Sequence, residues 1–533
     1  MIIAPITIKK IWILSFEIEG FASVGGLGRA VARHVSGLTR RGYEVTLFIP
    51  SHGRHLSRDY VTRLGMRSIS QFTPCGYRVG VDGISRRYCL SAEEFYLLGA
   101  RVVAFKGLDY ETGRYIDNWD IYADLPEKAC LYARALLHWI DATGERPDII
   151  HSNDWATAIA GVAAKIAFES RGYAVPHIHM IHLISSPSFP WHYASEQWCG
   201  LQNILHRVWN GYAHVKRETR DVWDSVWGNI DAFSLIEADV IASVSWGYMG
   251  EILERFGRWM APKACVAHNS TQWSEDEVKT YAERTYGTSS RKDLRRKVIE
   301  IVNTLPQRTG WIDPGAEILL SSSGRATWQK GFDILIRSMD HLDRSFALVI
   351  MAISVGDRHF EESISRMALE RWGRVAILWG DLDEMLRKTI IYASNVYAVP
   401  SRYEPFGIVS IEAQALGTPV VVTGVGGLLE TIVDIHRSKK GTGIIANPDE
   451  RSIADAIRSL AIASEISDTE DISLIKHIED ISVARMISNN PRAPRINTVE
   501  WVNSRFREDA TISELLACYE KARQMSYYRA ITP

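Results

Sequence analysis

Two carboxylates lie close together in the segment RYEPFGIVSIEAQALG, residues 402–417. The P-F-G break between them opposes helix before Ile408, so Glu404 is predicted to lie in a loop and Glu412 on the helix that follows. One acid is therefore presented by a loop and the other by a helix. The strand-like run PVVVTG comes next, and loop, helix and strand in quick succession are typical of an open α/β sheet.

A basic pair lies in the segment SSSGRATWQKGFD, where a predicted strand leads into a helix. Ligands of open α/β sheets bind outside the carboxyl ends of the strands, and Arg325 and Lys330 are predicted to lie at that edge. A guanidinium and an ammonium there can neutralise a diphosphate and stabilise it as a leaving group. A pair of solvated loop cations is the alternative, and this segment taken alone favours it.

A Gly-Gly-Leu turn occurs in each half of the chain, in VGGLG at 24–28 and in GVGGLLE at 424–430. Adjacent glycines let backbone amides approach an anion at the start of a helix, so each turn is a candidate phosphate site. A tight structural turn explains the first motif equally well when it is taken alone, and its recurrence strengthens both interpretations. The candidate residues are Gly25, Gly26 and Leu27 in the first turn and Gly426, Gly427 and Leu428 in the second.

Three histidines fall within the six residues HIHMIH. Strand alternation puts His177 and His179 on one face and His182 on the other, so one metal ion cannot easily take all three, and no metal site is predicted. His182 lies at the predicted carboxyl end of the strand, where it can donate a hydrogen bond to a ligand; a satisfied histidine at the core edge is the alternative. Asp154, at another strand end, reaches the ligand edge or caps the following helix, and capping is the commoner role.

Alternating strands and helices predict an α/β fold. The chain opens with a βαβ pattern, and the second half alternates strand and helix throughout, which is typical of a doubly wound parallel sheet. We therefore expect two Rossmann-like domains with a cleft between them. The predicted domains are residues 1–310 and 311–505, with the boundary near Pro314, followed at 506–533 by a C-terminal helix that packs back on the N-terminal domain.

Composition narrows the functional classes. The 533 residues carry a formal net charge of −2, which argues against a nucleic-acid-binding surface because neutralising many phosphates needs an excess of Lys and Arg. The basic clusters at 291–297 and 437–440 are interpreted as solvated faces. The apolar stretch at 11–16 is short and runs into acidic residues, unlike a signal peptide, and no run approaches the roughly twenty apolar residues of a membrane span. We expect a soluble, cytoplasmic protein.

The cysteines support the same expectation. All six are scattered without a C-x-x-C motif, so neither a zinc ribbon nor a disulfide framework is predicted, and a reduced cytosolic setting fits.

Taken together, these segments resemble the glycogen and starch synthases, which are retaining glucosyltransferases of GT-B architecture with two facing Rossmann-like domains. The likeness runs from VGGLG through HSNDW, the strand ending in His182, VSWGY and AHNS to GRATWQKGFD, the Glu404 to Glu412 segment and GVGGL. The motifs occur in the family's order and spacing. The resemblance implies transfer of glucose from ADP-glucose or UDP-glucose to the non-reducing end of an α-1,4-glucan such as glycogen or a maltodextrin.

The resemblance also implies roles for individual residues. Arg325 and Lys330 match the pair that holds the donor diphosphate. Glu404 matches the acid beside the donor glucose, Glu412 the acid that binds ribose hydroxyls, and His182 the histidine that contacts the sugar near the reacting carbon. The remaining donor-binding residues implied by the resemblance are Gly25, Gly26, Leu27, Asp154, Asn269, Phe406, Gly407, Gly426, Gly427 and Leu428. The family's mechanism requires no metal, cofactor or protein nucleophile, because the leaving diphosphate accepts the proton of the incoming hydroxyl on the same face.

Three positions depart from the family pattern. Ser23 replaces the usual lysine of the first glycine motif, Leu183 replaces the asparagine after the histidine, and Ser270 replaces the glycine after the asparagine of AHNS. Losing one charge-assisted contact costs roughly 1.5–3 kcal/mol. A transferase with a small acceptor and a non-catalytic binder of glucan or sugar nucleotide therefore remain alternatives. The sequence leaves open the nucleotide, the acceptor length and whether the chain forms a homo-oligomer. The aromatic stretch at 189–198 is an acceptor surface or core packing.

Overall fold

The computed structural model describes residues 7–531. The chain divides into two compact units. Unit 1 contains the chain up to His268 together with the segment from Thr511 onward, and unit 2 contains Asn269–Ala510. Each unit is an α/β domain with its own largely parallel sheet, so the predicted fold class of two Rossmann-like domains is confirmed.

Unit 1 is built on a ten-stranded sheet and a separate two-stranded hairpin. Its strands are β1 (Lys10–Leu14), β2 (Glu44–Pro50), β3 (Arg67–Ser68), β4 (Cys75–Val79), β5 (Ser85–Leu97), β6 (Ala100–Gly107), β7 (Ile149–Asn153), β8 (His177–Ile181), β9 (Leu205–Trp209), β10 (His214–Glu218), β11 (Val240–Ser243) and β12 (Ala264–Val266). The sheet order is β12-β11-β8-β7-β1-β2-β6-β5-β3, with β4 paired to β5, while β9 and β10 form the hairpin. Strands from β12 to β6 in this order run parallel. Their apolar runs, such as IWIL in β1, are buried, as expected for strands covered on both faces.

Nine helices belong to unit 1 within the described residues before His268. They are α1 (Gly26–Arg40), α2 (Arg58–Leu64), α3 (Tyr110–Ile116), α4 (Leu125–Thr143), α5 (Asp154–Ser170), α6 (Trp191–Ala194), α7 (Thr219–Ser225), α8 (Ile230–Glu237) and α9 (Trp246–Phe256). Helix α5 begins directly after the carboxyl end of β7, and α1 follows β1 after the loop at 15–25. This is the sheet edge where ligands of doubly wound folds bind.

Unit 2 has a seven-stranded sheet. Its strands are β13 (Arg308–Ile312), β14 (Ile318–Arg325), β15 (Phe346–Ile353), β16 (Arg374–Trp379), β17 (Val396–Val399), β18 (Val420–Thr423) and β19 (Gly443–Ala446). The order is β13-β16-β15-β14-β17-β18-β19, and only β13 runs antiparallel to its neighbour among these strands. Its helices are α10 (Glu275–Tyr286), α11 (Arg291–Thr304), α12 (Phe332–Ser338), α13 (Arg358–Glu370), α14 (Glu384–Ala393), α15 (Ile408–Ala415), α16 (Leu428–Thr431), α17 (Glu450–Thr469), α18 (Ile481–Asn489) and α19 (Ala493–Arg505).

The first boundary differs from the one predicted near Pro314. Helices α10 and α11 pack on α14 and belong to unit 2. Arg291 donates to the carbonyl oxygen of Leu416 at 2.6 Å, and Arg295 pairs with Asp468 at 2.5 Å. Both arginines are buried, so the interpretation of their cluster as a solvated face is wrong for these two residues. Their partners lie more than a hundred positions away in the chain, where no local pattern reveals them.

Helix α20 (Glu508–Ile531) ends the described chain, and its residues from Thr511 belong to unit 1. Glu514 accepts from the ring of His268 at 2.9 Å, and Tyr519 bonds His151 at 2.9 Å. Arg529 pairs with Asp239 at 2.8 Å. These buried polar contacts fix the helix to the sheet. Among residues 7–531, no helix has the length and apolar character needed to cross a membrane.

Four of the six cysteines form disulfides, which corrects the expectation that all six are reduced. Cys75 pairs with Cys89 because β4 and β5 place them opposite each other, with the Cα atoms 4.1 Å apart. Cys265 in β12 pairs with Cys518 in α20 across 253 positions of sequence. Cys130 and Cys199 are free and buried. Cysteine spacing shows nothing of such pairings, because the sheet register and the helix docking create them.

Candidate functional site

The first glycine turn is organised by a buried acid, Glu17, in the loop that follows β1. Its Oε2 accepts from the amides of Val24 at 2.8 Å and Gly25 at 3.1 Å and from the hydroxyl of Ser23 at 3.2 Å. The hydroxyl of Tyr122 donates to its Oε1. The amides of Val24 and Gly25, in the turn predicted to bind an anion, are thus bonded to a carboxylate of the protein itself. The backbone amides of Gly26 and Leu27 lie in the first turn of α1, where no earlier helical carbonyl is present to accept their hydrogen bonds.

Close packing in this turn is required at Gly28 rather than at Gly25. A Cβ at Gly28 would overlap the side chain of Ser23, whereas a Cβ at Gly25 would meet nothing within 4 Å. Gly25 has extended backbone, with φ −160°. Ser23, the residue in place of the family's lysine, therefore acts in this structure as a second hydroxyl partner of Glu17.

Asp154 organises the loop that follows β8. Its Oδ1 accepts from the amide of His182 at 2.7 Å and from that of Leu183 at 3.2 Å. Asp154 lies in the left-handed region, with φ +54°, and makes no capping bond to α5, so the capping role is wrong. Burial raises the pKa of its carboxyl to about 7, against the two amide bonds, which lower it. Its side chain positions His182.

The ring of His182 is oriented by Asn153. The amide nitrogen of Asn153 donates to the carbonyl oxygen of Leu14 at 3.0 Å, which leaves its Oδ1 to bond His182 Nε2 at 2.9 Å. His182 therefore carries its proton on Nε2, and Nδ1 is left as an acceptor. Burial, with smaller contributions from His34 and His179, lowers the pKa of His182 to about 3. At neutral pH this histidine is an uncharged hydrogen-bonding group.

His177 and His179 share one face of β8, as the alternation predicts. Ser152 Oγ bonds His177 Nε2 and His179 Nδ1, both at 2.8 Å, and both rings are fully buried. Within residues 7–531 no group of three or more His, Cys, Asp or Glu side chains is arranged to hold a metal ion.

In unit 2, Lys330 and Glu404 form an ion pair. Lys330 Nζ lies 2.5 Å from Glu404 Oε2, and Ser401 Oγ donates to the same oxygen at 3.1 Å. Lys330 ends a 3-10 turn after β14, and Glu404 lies in the loop after β17, a strand that pairs with β14. The neighbouring carboxyl ends of these strands bring together two residues that are 74 positions apart.

Arg325 is the last residue of β14 and pairs in register with Ile353 of β15. Its side chain is half-buried. It has no hydrogen bond or ion pair with any other part of the chain that the structure describes, and a Cβ added at the preceding Gly324 would lie 3.6 Å from Lys330 Cγ. The two predicted cations therefore lie at one strand end, where Lys330 is paired and Arg325 is unpaired.

The second glycine turn packs directly on the loop of Glu404. The amide of Gly427 donates to the backbone carbonyl of Glu404 at 2.9 Å, so the prediction that this amide is free for an anion is wrong. A Cβ at Gly427 would lie 2.6 Å from the Cα of Phe406. Gly407, with φ +98°, has no room for a Cβ against Leu428. These glycines allow the two segments to interlock.

The loop and helix placement of the two acids is confirmed. Glu404 precedes α15, which begins at Ile408, and Glu412 lies within the helix. Both acids are buried, with 8% and 5% of the residue exposed. Phe406, also buried, packs edge-to-face on Phe506 with ring centroids 5.8 Å apart. Gly426 adopts a left-handed conformation, with φ +49°.

Asn269 is the first residue of unit 2, directly after the segment that follows β12. It is buried, and its Oδ1 has no hydrogen-bond partner among the described residues, as is also true of Ser270 Oγ. Buried amide oxygens are seldom left unpaired, so this carbonyl can accept a bond from a bound molecule.

The predicted residues are divided between the two units. Unit 1 holds Gly25, Gly26, Leu27, Asp154 and His182, and unit 2 holds Asn269, Arg325, Lys330, Glu404, Phe406, Gly407, Glu412, Gly426, Gly427 and Leu428. Sequence reasoning missed Glu17, Asn153 and Ser401, which orient these groups. An acid directly after a buried strand and before a glycine turn was the available signal for Glu17. Two cavities of unit 2, one beside Trp379 and one beside Arg402, are lined by other residues.

Two family models match the two halves of the chain. Residues 10–262 match the model described as "Starch synthase catalytic domain", and residues 307–469 match "Glycosyl transferases group 1". Both models describe glycosyltransferase domains, and together they cover most of the chain, so the chain is a glycosyltransferase whose N-terminal half matches the starch synthases. The starch synthase model includes Glu17, Asp154 and His182, and the second model includes the Lys330–Glu404 pair and α15.

Named relatives agree with this assignment. The chain is 26% identical over 478 residues to glycogen synthase 1 of Methylococcus capsulatus, covering 86% of this chain and 90% of the relative. It is 25% identical over 434 residues to the glycogen synthase of Desulfitobacterium hafniense, covering 78% and 83%. The catalytic domain of starch synthase IV from Arabidopsis thaliana, bound to ADP and acarbose, superposes with a TM-score of 0.70 at 17% identity, covering 97% of this chain and 99% of that one. That structural similarity shows the shared GT-B fold.

Proposed function

We propose that this glycosyltransferase moves glucose from ADP-glucose or UDP-glucose to the non-reducing end of an α-1,4-glucan, with retention of the anomeric configuration. The observation that carries the proposal is the strand end of unit 2, where the unpaired Arg325 lies beside the Lys330–Glu404 ion pair. Two cations and one carboxylate there match the needs of a sugar diphosphate, whose phosphates require positive charge and whose sugar hydroxyls require acceptors. The relatives named glycogen synthase support the choice of donor sugar and acceptor.

In the proposed reaction, the bond between the glucose C1 and the diphosphate oxygen breaks, and its electron pair goes to the diphosphate. Arg325 and Lys330 stabilise the charge that develops on that leaving group. The acceptor's 4-hydroxyl oxygen bonds C1 on the same face, and its proton goes to a phosphate oxygen. Glu404 accepts hydrogen bonds from the sugar, and Glu412 accepts them from the ribose.

His182 is assigned a hydrogen-bonding role on the sugar side. Because the Nε2–H group of His182 donates to Asn153 Oδ1, Nδ1 can accept a bond from a sugar hydroxyl. The lowered pKa keeps the ring neutral at physiological pH, so it neither supplies a proton nor repels the positive charge that develops at C1. Asp154, which bonds the amide of His182, keeps the ring at the strand end.

The assay measures nucleotide release from ADP-glucose and from UDP-glucose, each with and without glycogen. We expect release that depends on glycogen with at least one donor, and a loss of about a hundredfold in Arg325→Gln, which removes the unpaired cation. Arg492→Gln, at an exposed ion pair of unit 2, is the matched control and should retain full activity.

The outcome separates the alternatives. Release that requires a monosaccharide instead of glycogen would assign a small acceptor. Binding of donor or glucan without any release would identify a non-catalytic binder, the alternative motivated by Ser23 in place of the family's lysine. Either result would contradict the proposal.

A further inference from the structure

Trp227 combines two unusual properties. Its residue surface is 90% exposed, and its backbone lies in the left-handed region, with φ +56°. A bulky residue in that region is a genuine outlier, because its backbone conformation is strained. An exposed ring contributes little packing energy to offset that strain, so the surrounding turn must hold it in place.

The turn around Trp227 is bonded to the loop that follows His182. Gly228 accepts from the amide of Phe189 at 3.0 Å, and the indole of Trp223 donates to the carbonyl of Phe189 at 3.0 Å. A Cβ at Gly228, which has φ +70°, would overlap that same carbonyl. Trp227 is therefore one residue from a point where two backbone segments touch.

The same loop is fixed at its other end to the residues of the candidate site. Asp231 Oδ2 accepts from the amides of Ser185 at 3.1 Å and Ser186 at 2.6 Å, and Asp154 accepts from that of Leu183. The loop between His182 and Phe189 is thus bonded to neighbouring segments at Leu183, Ser185, Ser186 and Phe189. The position of Trp227 is set by the same framework that positions His182.

Other aromatic rings lie along this framework. Phe189 is half-buried and stacks on Tyr193, with centroids 4.2 Å apart and planes at 23°. Trp155, which follows Asp154 directly, is half-buried and lies 6.5 Å from Phe189. The aromatic residues at 189–198 therefore differ in exposure. Tyr193 and Trp198 are buried in the core, whereas Phe189 is partly accessible to solvent.

We propose that Trp227, together with Phe189, is a sugar-stacking platform that binds the acceptor glucan beside His182. This inference rests on the proposed function and names a binding site for its acceptor. An α-1,4-glucan presents apolar C–H faces ringed by hydroxyls, and an aromatic face flanked by polar groups matches that surface. Asp224 and Ser225, both exposed, precede Trp227 and supply such groups.

The surroundings favour a sugar over a protein partner. Hot spots of protein interfaces lie in clustered, desolvated apolar patches. Among residues 221–231, Trp227 is the one exposed apolar side chain, and its exposed neighbours are Asp221, Asp224 and Ser225.

The test measures binding of maltoheptaose to the full chain by calorimetry, without donor, so that it is independent of catalysis. Trp227→Asn is the chosen variant, because asparagine tolerates the left-handed backbone and preserves the turn. We expect its dissociation constant to rise about tenfold, which corresponds to about 1.4 kcal/mol. Trp227→Phe, which keeps an aromatic face, should stay within threefold of the wild type. Unchanged melting temperatures verify the fold of both variants.

Two controls remove exposed aromatic residues elsewhere. Tyr212, 93% exposed between β9 and β10 of unit 1, and Trp372, 60% exposed in unit 2, are replaced by alanine and should leave maltoheptaose binding unchanged. Equal binding by Trp227→Asn and wild type, or equal losses in the controls, would overturn the platform. So would a wild type that does not bind maltoheptaose at millimolar concentration.

Kinetics separate this proposal from the proposed function. With transferase activity present, Trp227→Asn should raise the KM for maltodextrin about tenfold and leave the KM for the nucleotide sugar unchanged. Activity with an unchanged maltodextrin KM would overturn the platform and leave the transferase function standing. The reverse result is also informative. If the protein releases no nucleotide from either donor, but Trp227→Asn loses the maltoheptaose binding of the wild type, the transferase function is overturned and the platform stands.

Discussion

The ion pair between Lys330 and Glu404 should be coupled strongly enough to measure. Its atoms are 2.5 Å apart, and the two side chains are 16% and 10% exposed. At an effective dielectric constant of about 20, the Coulomb attraction at this distance is about 7 kcal/mol. Desolvation offsets much of it, so removing one partner of such a buried pair should cost roughly 3 kcal/mol of unfolding free energy.

A double-mutant cycle isolates this pair. Lys330→Met leaves the Glu404 carboxylate with its hydrogen bond from the Ser401 hydroxyl, and Glu404→Gln leaves the ammonium without its counter-charge. Each single variant should lose roughly 3 kcal/mol, whereas the double variant should lose about 4 kcal/mol rather than the roughly 6 kcal/mol expected of independent sites. The expected coupling energy is about 2 kcal/mol.

Urea unfolding of the full chain supplies the free energies, and hydrogen exchange in α15 identifies the transition of unit 2. The matched control is Arg492→Gln, which breaks an ion pair with Glu470 in which both side chains are more than 60% exposed. That change should leave the unfolding free energy unchanged within experimental error, because water screens an exposed pair. A coupling energy below about 0.5 kcal/mol for Lys330 and Glu404 would refute the reasoning, because it would mean that water screens the pair as it does at the surface.

Two further predictions concern backbone packing and pH. Gly427→Ala should destabilise unit 2 by roughly 2–3 kcal/mol in urea unfolding, because the added Cβ has no room against the Phe406 backbone. Gly25→Ala, which has open space around its Cβ, is the control and should cost less than about 0.5 kcal/mol. Equal losses in the two variants would contradict the packing argument. Burial lowers the pKa of His34 to about 4 and of His179 to about 3, so the stability they contribute is full above about pH 6.5 and is lost as the pH falls toward those values. At pH 5 each of these histidines should lower the unfolding free energy by about 2 kcal/mol. His34→Gln should therefore reduce the slope of unfolding free energy against pH, and an unaltered slope would show that His34 is protonated in the folded state. Asp154 acts in the opposite direction. Because its pKa is raised to about 7, the protein loses stability as the pH rises from about 4 to 7, which should flatten the dependence of unfolding free energy on pH.

Local chemistry explains what could be predicted of the fold. Alternation of apolar strands and amphipathic helices predicted two α/β domains, and the Pro-Gly break predicted a loop acid at 404 and a helix acid at 412. Strand alternation also placed His177 and His179 on one face. Each of these statements depends on residues within about ten positions of one another.

The first domain boundary and the chemistry of the turns could not be predicted in this way. Helices α10 and α11 read as a polar connector, but Arg291 and Arg295 are buried against unit 2. Two turn amides, those of Gly25 and Gly427, are bonded to acceptors within the protein. A glycine motif shows that the backbone can approach a partner, and the partner is chosen by whatever the fold places there.

The sequence by itself determined the secondary structure, the α/β class, the membership of the two halves in a glycosyltransferase family and the residue types at each strand end. The tertiary structure decided which of those residues meet: Lys330 with Glu404, Glu17 with the first glycine turn, and Cys265 with Cys518. The reason is physical. Backbone preferences and burial periodicity are set by near neighbours, whereas ion pairs, disulfides and hydrogen bonds between distant segments depend on strand order and register, which only the packed sheet fixes.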